Sequence, residues 1–162
     1  MKVQSIVGSA YKPNFKSFRI EEPHKMYDSL PENIPPEREK DYKYRGVQKF
    51  LSKETMLIKR AKERTAGNSR FIEPLDYIVR TIKRQKDNPY NMVMYAEEYP
   101  NPKDDKVFLE VRNPNGVVMH KKELHNSVSV ISTDVDRDYI ISDFYAKMNL
   151  GEKVADMYRN RH

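Results

Sequence analysis

Lys106-Val-Phe-Leu-Glu-Val-Arg112, Asn113-Pro-Asn-Gly116 and Val117-Val-Met-His-Lys-Lys122 form the stretch that decides the fold. Two runs rich in β-branched and apolar residues flank a segment of turn formers. Its Asn-Gly pair tolerates the positive φ that a tight reversal demands. The stretch predicts a β-hairpin. One step outward, Asn91-Met-Val-Met-Tyr-Ala96 reads as a preceding strand, joined through the polar loop of residues 99–105. On the other side Ser127-Val-Ser-Val-Ile-Ser132 alternates as a following strand. Three or four antiparallel strands are expected.

Upstream the apolar period changes from two to between three and four. Val47, Phe50, Leu51, Leu57, Ile58 and Ala61 make one stripe of an amphipathic helix over residues 47–65, with Glu54 inside the stripe. Such a carboxylate either sits half-buried against a cation or marks a groove where another element meets the helix. Gly67-Asn68 ends the helix, as a left-handed cap does. A second helix over 73–86 has Pro74 in its first turn, Leu75, Ile78, Val79 and Ile82 on its apolar side, and Asp87-Asn88-Pro89 as its stop. The link of about eight residues between the helices exceeds the short turn of a helix-turn-helix motif, which excludes that motif.

Downstream, Asp134 or Asp136 is placed to cap a helix carrying Tyr139, Ile140, Phe144 and Met148. Gly151 is expected to break it before a short last helix with Val154, Ala155 and Tyr158. The fold class expected for residues 43–162 is α+β. An antiparallel sheet of about four strands packs with two basic amphipathic helices before it and one or two helices after it. Residues 1–42 read as an extended Pro- and Tyr-rich arm with short strands at 2–7 and 16–21, the latter showing Phe18 and Ile20 on one face. A turn falls at Lys12-Pro13-Asn14, and Pro23, Pro31, Pro35 and Pro36 interrupt any regular element. Connections this long are functional or mobile more often than not. Tyr11, Phe15, Phe18, Met26 and Tyr27 are its candidates for docking on the domain or on a partner.

A chain of 162 residues suits one domain without a covalent staple. It holds no cysteine, which excludes disulfides and thiolate metal sites and suits a reducing compartment. No apolar run reaches the roughly 18 residues of a membrane span, and Met1 to Ala10 lacks the apolar region of a signal peptide. A cytoplasmic protein, cellular or phage-borne, is expected. Hydrophobic residues are 38% and charged residues 33%, against about 45–50% and about 25% in typical domains, so the core must be economical. Eleven tyrosines and no tryptophan make Tyr the aromatic for half-buried positions.

The net charge of +6 is unevenly placed: residues 43–86 carry +9, and the segments 1–42, 87–133 and 134–162 carry 0, −2 and −1. At about 100° per residue, Lys49, Lys53, Arg60 and Arg64 share a flank about 60° wide on the first helix. The second helix offers Tyr77, Arg80, Lys83 and Arg84. A localised basic face is the footprint of a polyanion partner, and equally that of a solvated helix or of a surface for an acidic protein. These eight residues are the candidate nucleic-acid contacts, for DNA or RNA. Binding would be electrostatic and weakly sequence-dependent, with Tyr77 and Tyr44 offering flat rings to bases. No catalytic residue, metal ligand or cofactor is assigned, no membrane contact is expected, and the oligomeric state is open. A protein-interaction module or inhibitor acting through the arm is the alternative.

The remaining constellations are incomplete. Five scattered glycines form no phosphate loop. Nucleophile-elbow, paired-His and zinc spacings are lacking too. His120, Glu123 and His125 offer metal or acid–base chemistry, but strand alternation keeps the two histidines apart without a bend. Asp134, Asp136 and Asp138 begin like a calcium loop, yet Tyr139 stands where Gly is needed and Tyr145 where Glu is needed. Asp104, Asp105, Glu110 and Arg112 approach the Asp…Glu-x-Lys layout of metal-dependent nucleases, with Arg in place of Lys.

The order of elements (a strand region, two helices, an antiparallel sheet, a terminal helix) is similar to that of RelE-like ribonuclease toxins. The resemblance implies metal-independent RNA cleavage by Lys, Arg, His or Tyr on the sheet and the terminal helix. Arg112, His120, Lys121, Lys122, His125 and Tyr139 are the matching candidates.

Overall fold

The structure, a computed structural model, describes residues 18–27, 44–64, 72–125 and 143–161. These form β1 (Phe18–Ile20), β2 (His24–Lys25), α1 (Arg45–Arg64), α2 (Pro74–Arg84), β3 (Asn91–Glu98), β4 (Lys106–Arg112), β5 (Val118–Leu124) and α3 (Asp143–Asn160), with a 3-10 turn at Pro102–Asp104. The expected strands at 2–7 and 127–132, the turn at 12–14 and the capping aspartates lie outside the described residues, as do Tyr139 and Ile140.

The hairpin forms where its turn chemistry puts it. Gly116 has φ 85° and donates its N–H to Asn113 O at 2.9 Å. The Asn113 side chain accepts from the N–H groups of Asn115 and Val117, both at 2.9 Å. β4 then pairs antiparallel with β3 on one side and β5 on the other.

The sheet is mixed, not antiparallel throughout. β1 and β2 both run parallel to β3, with Phe18 opposite Met92 and Ile20 opposite Met94. A parallel neighbour needs a long crossover, and α1 and α2 supply it by covering one face of the sheet on the way back. The reason lies in the alternation of Phe18 and Ile20, each 1% exposed. Two large apolar groups on one side of a short strand gain most by extending the apolar face of β3, so this part of residues 1–42 joins the sheet.

Register sets the core. Met92, Met94 and Ala96 lie opposite Val111, Leu109 and Val107. With Phe18, Ile20 and Leu124 they make a single apolar face, closed by Val47, Phe50 and Leu51 of α1, Ile78 of α2, and Phe144, Met148 and Ala155 of α3. Each large side chain so buried contributes about 1.5–3 kcal/mol. The result is a two-layer α+β arrangement. Glu54, the charged residue in the α1 stripe, is fully buried rather than half-buried.

Gly151 does not break the last helix, which is continuous from Asp143 to Asn160. A Cβ at Gly151 would lie 3.0 Å from Leu109 Cδ2 and 3.1 Å from Met92 Cε. Its absence lets α3 lie directly on the sheet, which offsets the roughly 1 kcal/mol a mid-helix glycine costs. Gly46 plays the same part for α1: a Cβ there would stand 2.6 Å from the Ala96 Cβ, an atom fixed to a central strand.

Gly46→Ala is therefore expected to push α1 off β3 and destabilise the protein by about 1–3 kcal/mol. Urea denaturation should show a lowered midpoint, partly restored by adding Ala96→Gly. An unchanged midpoint for Gly46→Ala would refute the close approach.

Candidate nucleic-acid interface

The first turn of α1 is tied to the β3–β4 connection. Arg45 donates from Nε to Asp105 Oδ2 at 2.9 Å and from its terminal nitrogen to Asp105 Oδ1 at 3.0 Å. The same guanidinium donates to the carbonyl of Tyr99, and Asp105 Oδ1 also accepts the Tyr99 N–H at 2.9 Å. Within the loop, Asn101 caps the 3-10 turn by accepting from Lys103 N at 3.1 Å. The loop is thus held rigidly against the helix, and Asp105 has its charge matched.

Between them lies a groove of about 160 Å³. Lys49 and Lys53 form its helical wall, Lys103 and Lys106 the loop wall, and Phe50, Val107 and Leu124 an apolar floor. Among the described residues none of the four lysines pairs with a carboxylate. At its end stand Glu123 and His125, with His125 Nδ1 3.2 Å from Glu123 Oε2. The backbone there is anchored by α3. His125 N donates to Asp143 Oδ2 at 2.8 Å, and Lys147 bridges Asp143 and the carbonyl of Glu123.

The expected contacts are distributed over several surfaces. Lys49 and Lys53 line this groove. Arg60 lines another, with Met56, Lys59, Glu63 and Leu75. The side chain of Arg64 lies outside the described residues. Arg80 and Lys83 are exposed on α2. Arg84 is forked on Glu152, at 2.6 and 2.9 Å, and stacks over Tyr77 at 5.4 Å. Tyr77 packs edge-on against Phe144 and Tyr145. Arg84 and Tyr77 are therefore part of the α2–α3 packing. Lys103 and Lys106 were not foreseen. Lys103 lies in a polar loop and Lys106 begins β4, and an ion pair between residues 60 positions apart ties this connection to α1.

The residues suggested by the ribonuclease resemblance also divide. Arg112 and Lys121 lie on the sheet face away from the helices. Arg112 donates to Glu110 at 2.9 Å and to Glu21 at 2.7 and 3.1 Å, and Lys121 stands 3.9 Å from Glu110. Tyr95 donates to Glu110 at 2.6 Å and carries His24 stacked at 4.3 Å. His120 and Lys122 alternate with Lys121 and project from the other side of β5; burial, then Lys122, lowers the His120 pKa. Of these candidates that lie among the described residues, only His125 lines the groove. Among the described residues no three His, Asp or Glu groups are placed to hold a metal ion, and no helix is long and apolar enough to cross a membrane.

Comparison with protein-family models, with curated proteins and with solved structures finds no match.

The Arg84–Glu152 fork has a pH signature. Burial pushes the Glu152 carboxyl up, but hydrogen bonds from Arg84 and Gln85, the Arg84 charge and Thr81 outweigh it and hold the pKa below its ordinary 4.5. A depressed carboxylate pKa contributes stability above the unfolded value and loses it as pH falls through the folded one. Wild type should lose stability on acidification below about pH 4.5. Glu152→Gln should lower stability at pH 7 by about 1–3 kcal/mol, reduced by the solvent exposure of Arg84. It should also show a smaller acid-induced loss in urea midpoints at pH 7 and 3.5. Parallel losses in the two proteins would refute the assignment.

Proposed function

We propose that the protein binds nucleic acid by gripping its phosphate backbone in the groove between α1 and residues 102–106. One observation supports the reading: Lys49, Lys53, Lys103 and Lys106 line one groove, and among the described residues none of them forms an ion pair. Like charges brought together repel, and an anion between the walls converts that repulsion into attraction. Each phosphate contact releases condensed counterions, so the affinity gained is entropic in origin and sensitive to salt.

Lysine ammonium groups are point charges without the planar fork that reads a base edge. The nearest guanidinium, Arg45, is already committed to Asp105. Recognition in the groove is therefore backbone-directed and weakly sequence-dependent. Arg60, Arg80 and Lys83 extend the positive field along the helical side and steer the approach.

Fluorescence anisotropy with labelled duplex DNA and single-stranded RNA tests this. With about four phosphates neutralised, the logarithm of the binding constant should fall with the logarithm of salt at a slope of about −3 to −4. Joint substitution of Lys49, Lys53, Lys103 and Lys106 by Glu should weaken binding at low salt more than about 100-fold and flatten that slope. Arg80→Glu with Lys83→Glu should have a smaller effect. A folded quadruple variant that binds as wild type does would sink the proposal.

A further inference from the structure

The basic groove combines its charge with a surface that phosphate does not use. Its four lysines are exposed, while Phe50, Val107 and Leu124 beside them are buried and apolar. A phosphate gains nothing from an apolar floor, because contact with it strips water and returns no hydrogen bond. The lysine stems add apolar wall, since their methylene chains lie along such surface while the ammonium stays in water. The floor is also fixed: the Phe50 ring packs on Phe144, with centroids 6.0 Å apart and planes at 54°. The groove holds about 160 Å³. An apolar cavity of about 150 Å³ accommodates a benzene-sized ring, so the space suits one base and not the breadth of a double helix.

We infer that the groove selects single-stranded over double-stranded nucleic acid, an inference that rests on the phosphate-binding reading above. A base turned out of a single strand lies on the floor between the lysine stems, and the phosphates on either side of it meet the ammonium groups. In a duplex the ring faces are covered by neighbouring bases and the edges are paired. Only its phosphate ridge can approach, and bringing a base to the floor costs the unstacking and unpairing of that base. Stiffness acts in the same direction. A duplex resists bending over about 150 base pairs, and the Arg45–Asp105 fork ties the two walls together. A flexible single strand conforms to such a groove where a rod does not. Every base has a ring face, so contact with the floor leaves recognition tolerant of sequence. The tyrosines offered to bases by the sequence are engaged elsewhere. Tyr77 packs edge-on against Phe144 and Tyr145, and Tyr44 is part of the buried core.

The test uses the full chain and four labelled ligands of one length: single-stranded DNA, single-stranded RNA of the same sequence, the DNA duplex, and an abasic DNA strand that keeps every phosphate. At one salt concentration the better of the two single strands should bind about tenfold or more tightly than the duplex, and that arm identifies the sugar the groove prefers. The abasic strand, equal in charge, should bind about tenfold more weakly than the intact DNA strand. A 5-iodouracil base placed in the strand should photo-cross-link to the peptide that carries Phe50. Equal affinity for duplex and single strands, an abasic strand held as tightly as the intact one, or cross-links confined to other segments would overturn the inference and leave the binding proposal standing. Failure to bind any of the four would overturn both.

Discussion

The Arg45–Asp105 pair is the interaction on which the arrangement of the groove depends. It joins residues 60 positions apart, the first turn of α1 and the end of the β3–β4 loop, and fixes the separation of the two lysine-bearing walls. The pair is nearly buried, with 11% and 5% side-chain exposure. Desolvating two charges is expensive, and mutual attraction repays it only where the remaining hydrogen-bonding positions are filled. Here they are: the backbone of Tyr99 both donates to Asp105 and accepts from Arg45, and the Tyr27 ring lies 5.4 Å from the guanidinium. Beside it Gly46 N donates to the buried Glu98 carboxylate at 3.0 Å, which caps an orphan N–H at the helix N-terminus. Because Arg45 engages both oxygens of Asp105, that carboxylate is not left to pair with the lysines.

The two faces of the sheet solve the problem of an economical core in different ways. One face is apolar and lies beneath three helices. The other uses charge. Glu110 is 4% exposed and accepts from Tyr95 and Arg112, and Arg112 reaches across to Glu21. Burial pushes the Glu21 carboxyl up, and the hydrogen bond and charge of Arg112, helped by Arg19, more than reverse that. The network thus ties the end of β4 to the chain leaving β1, adding side-chain bonds to a parallel edge of three residues. A low hydrophobic content is compatible with a stable sheet because bidentate ion pairs and aromatic rings cover the second face.

Local chemistry was legible in the sequence, and long-range pairing was not. The hairpin, α1, α2 and the strand at 91 each carry their own signals: turn residues, an apolar period, a Pro at a helix start. The parallel edge carries none. Phe18 and Ile20 announce a strand with one apolar face, but not which neighbour it takes or in which direction. Gly151 misleads because the same residue that weakens an isolated helix permits a close approach to Leu109 and Met92. Helical periodicity placed Lys49 and Lys53 on one flank, and it placed Arg84 outward, where it is exposed, but nothing nearby in sequence reveals its partner Glu152, 68 residues away.

Segment charges mislead for the same reason. Residues 43–86 carry +9 and residues 87–133 carry −2, which suggests a basic helical half beside an acidic sheet. Yet half of the groove's lysines, Lys103 and Lys106, come from the acidic segment. Three of its seven carboxylates are engaged internally: Asp105 with Arg45, Glu110 with Arg112 and Tyr95, Glu98 with the helix terminus. Conversely Arg84, from the basic segment, is spent on Glu152. The charge a folded surface presents is what remains after folding has made its pairs, and among the described residues Lys49, Lys53, Lys103 and Lys106 belong to that remainder and line one groove.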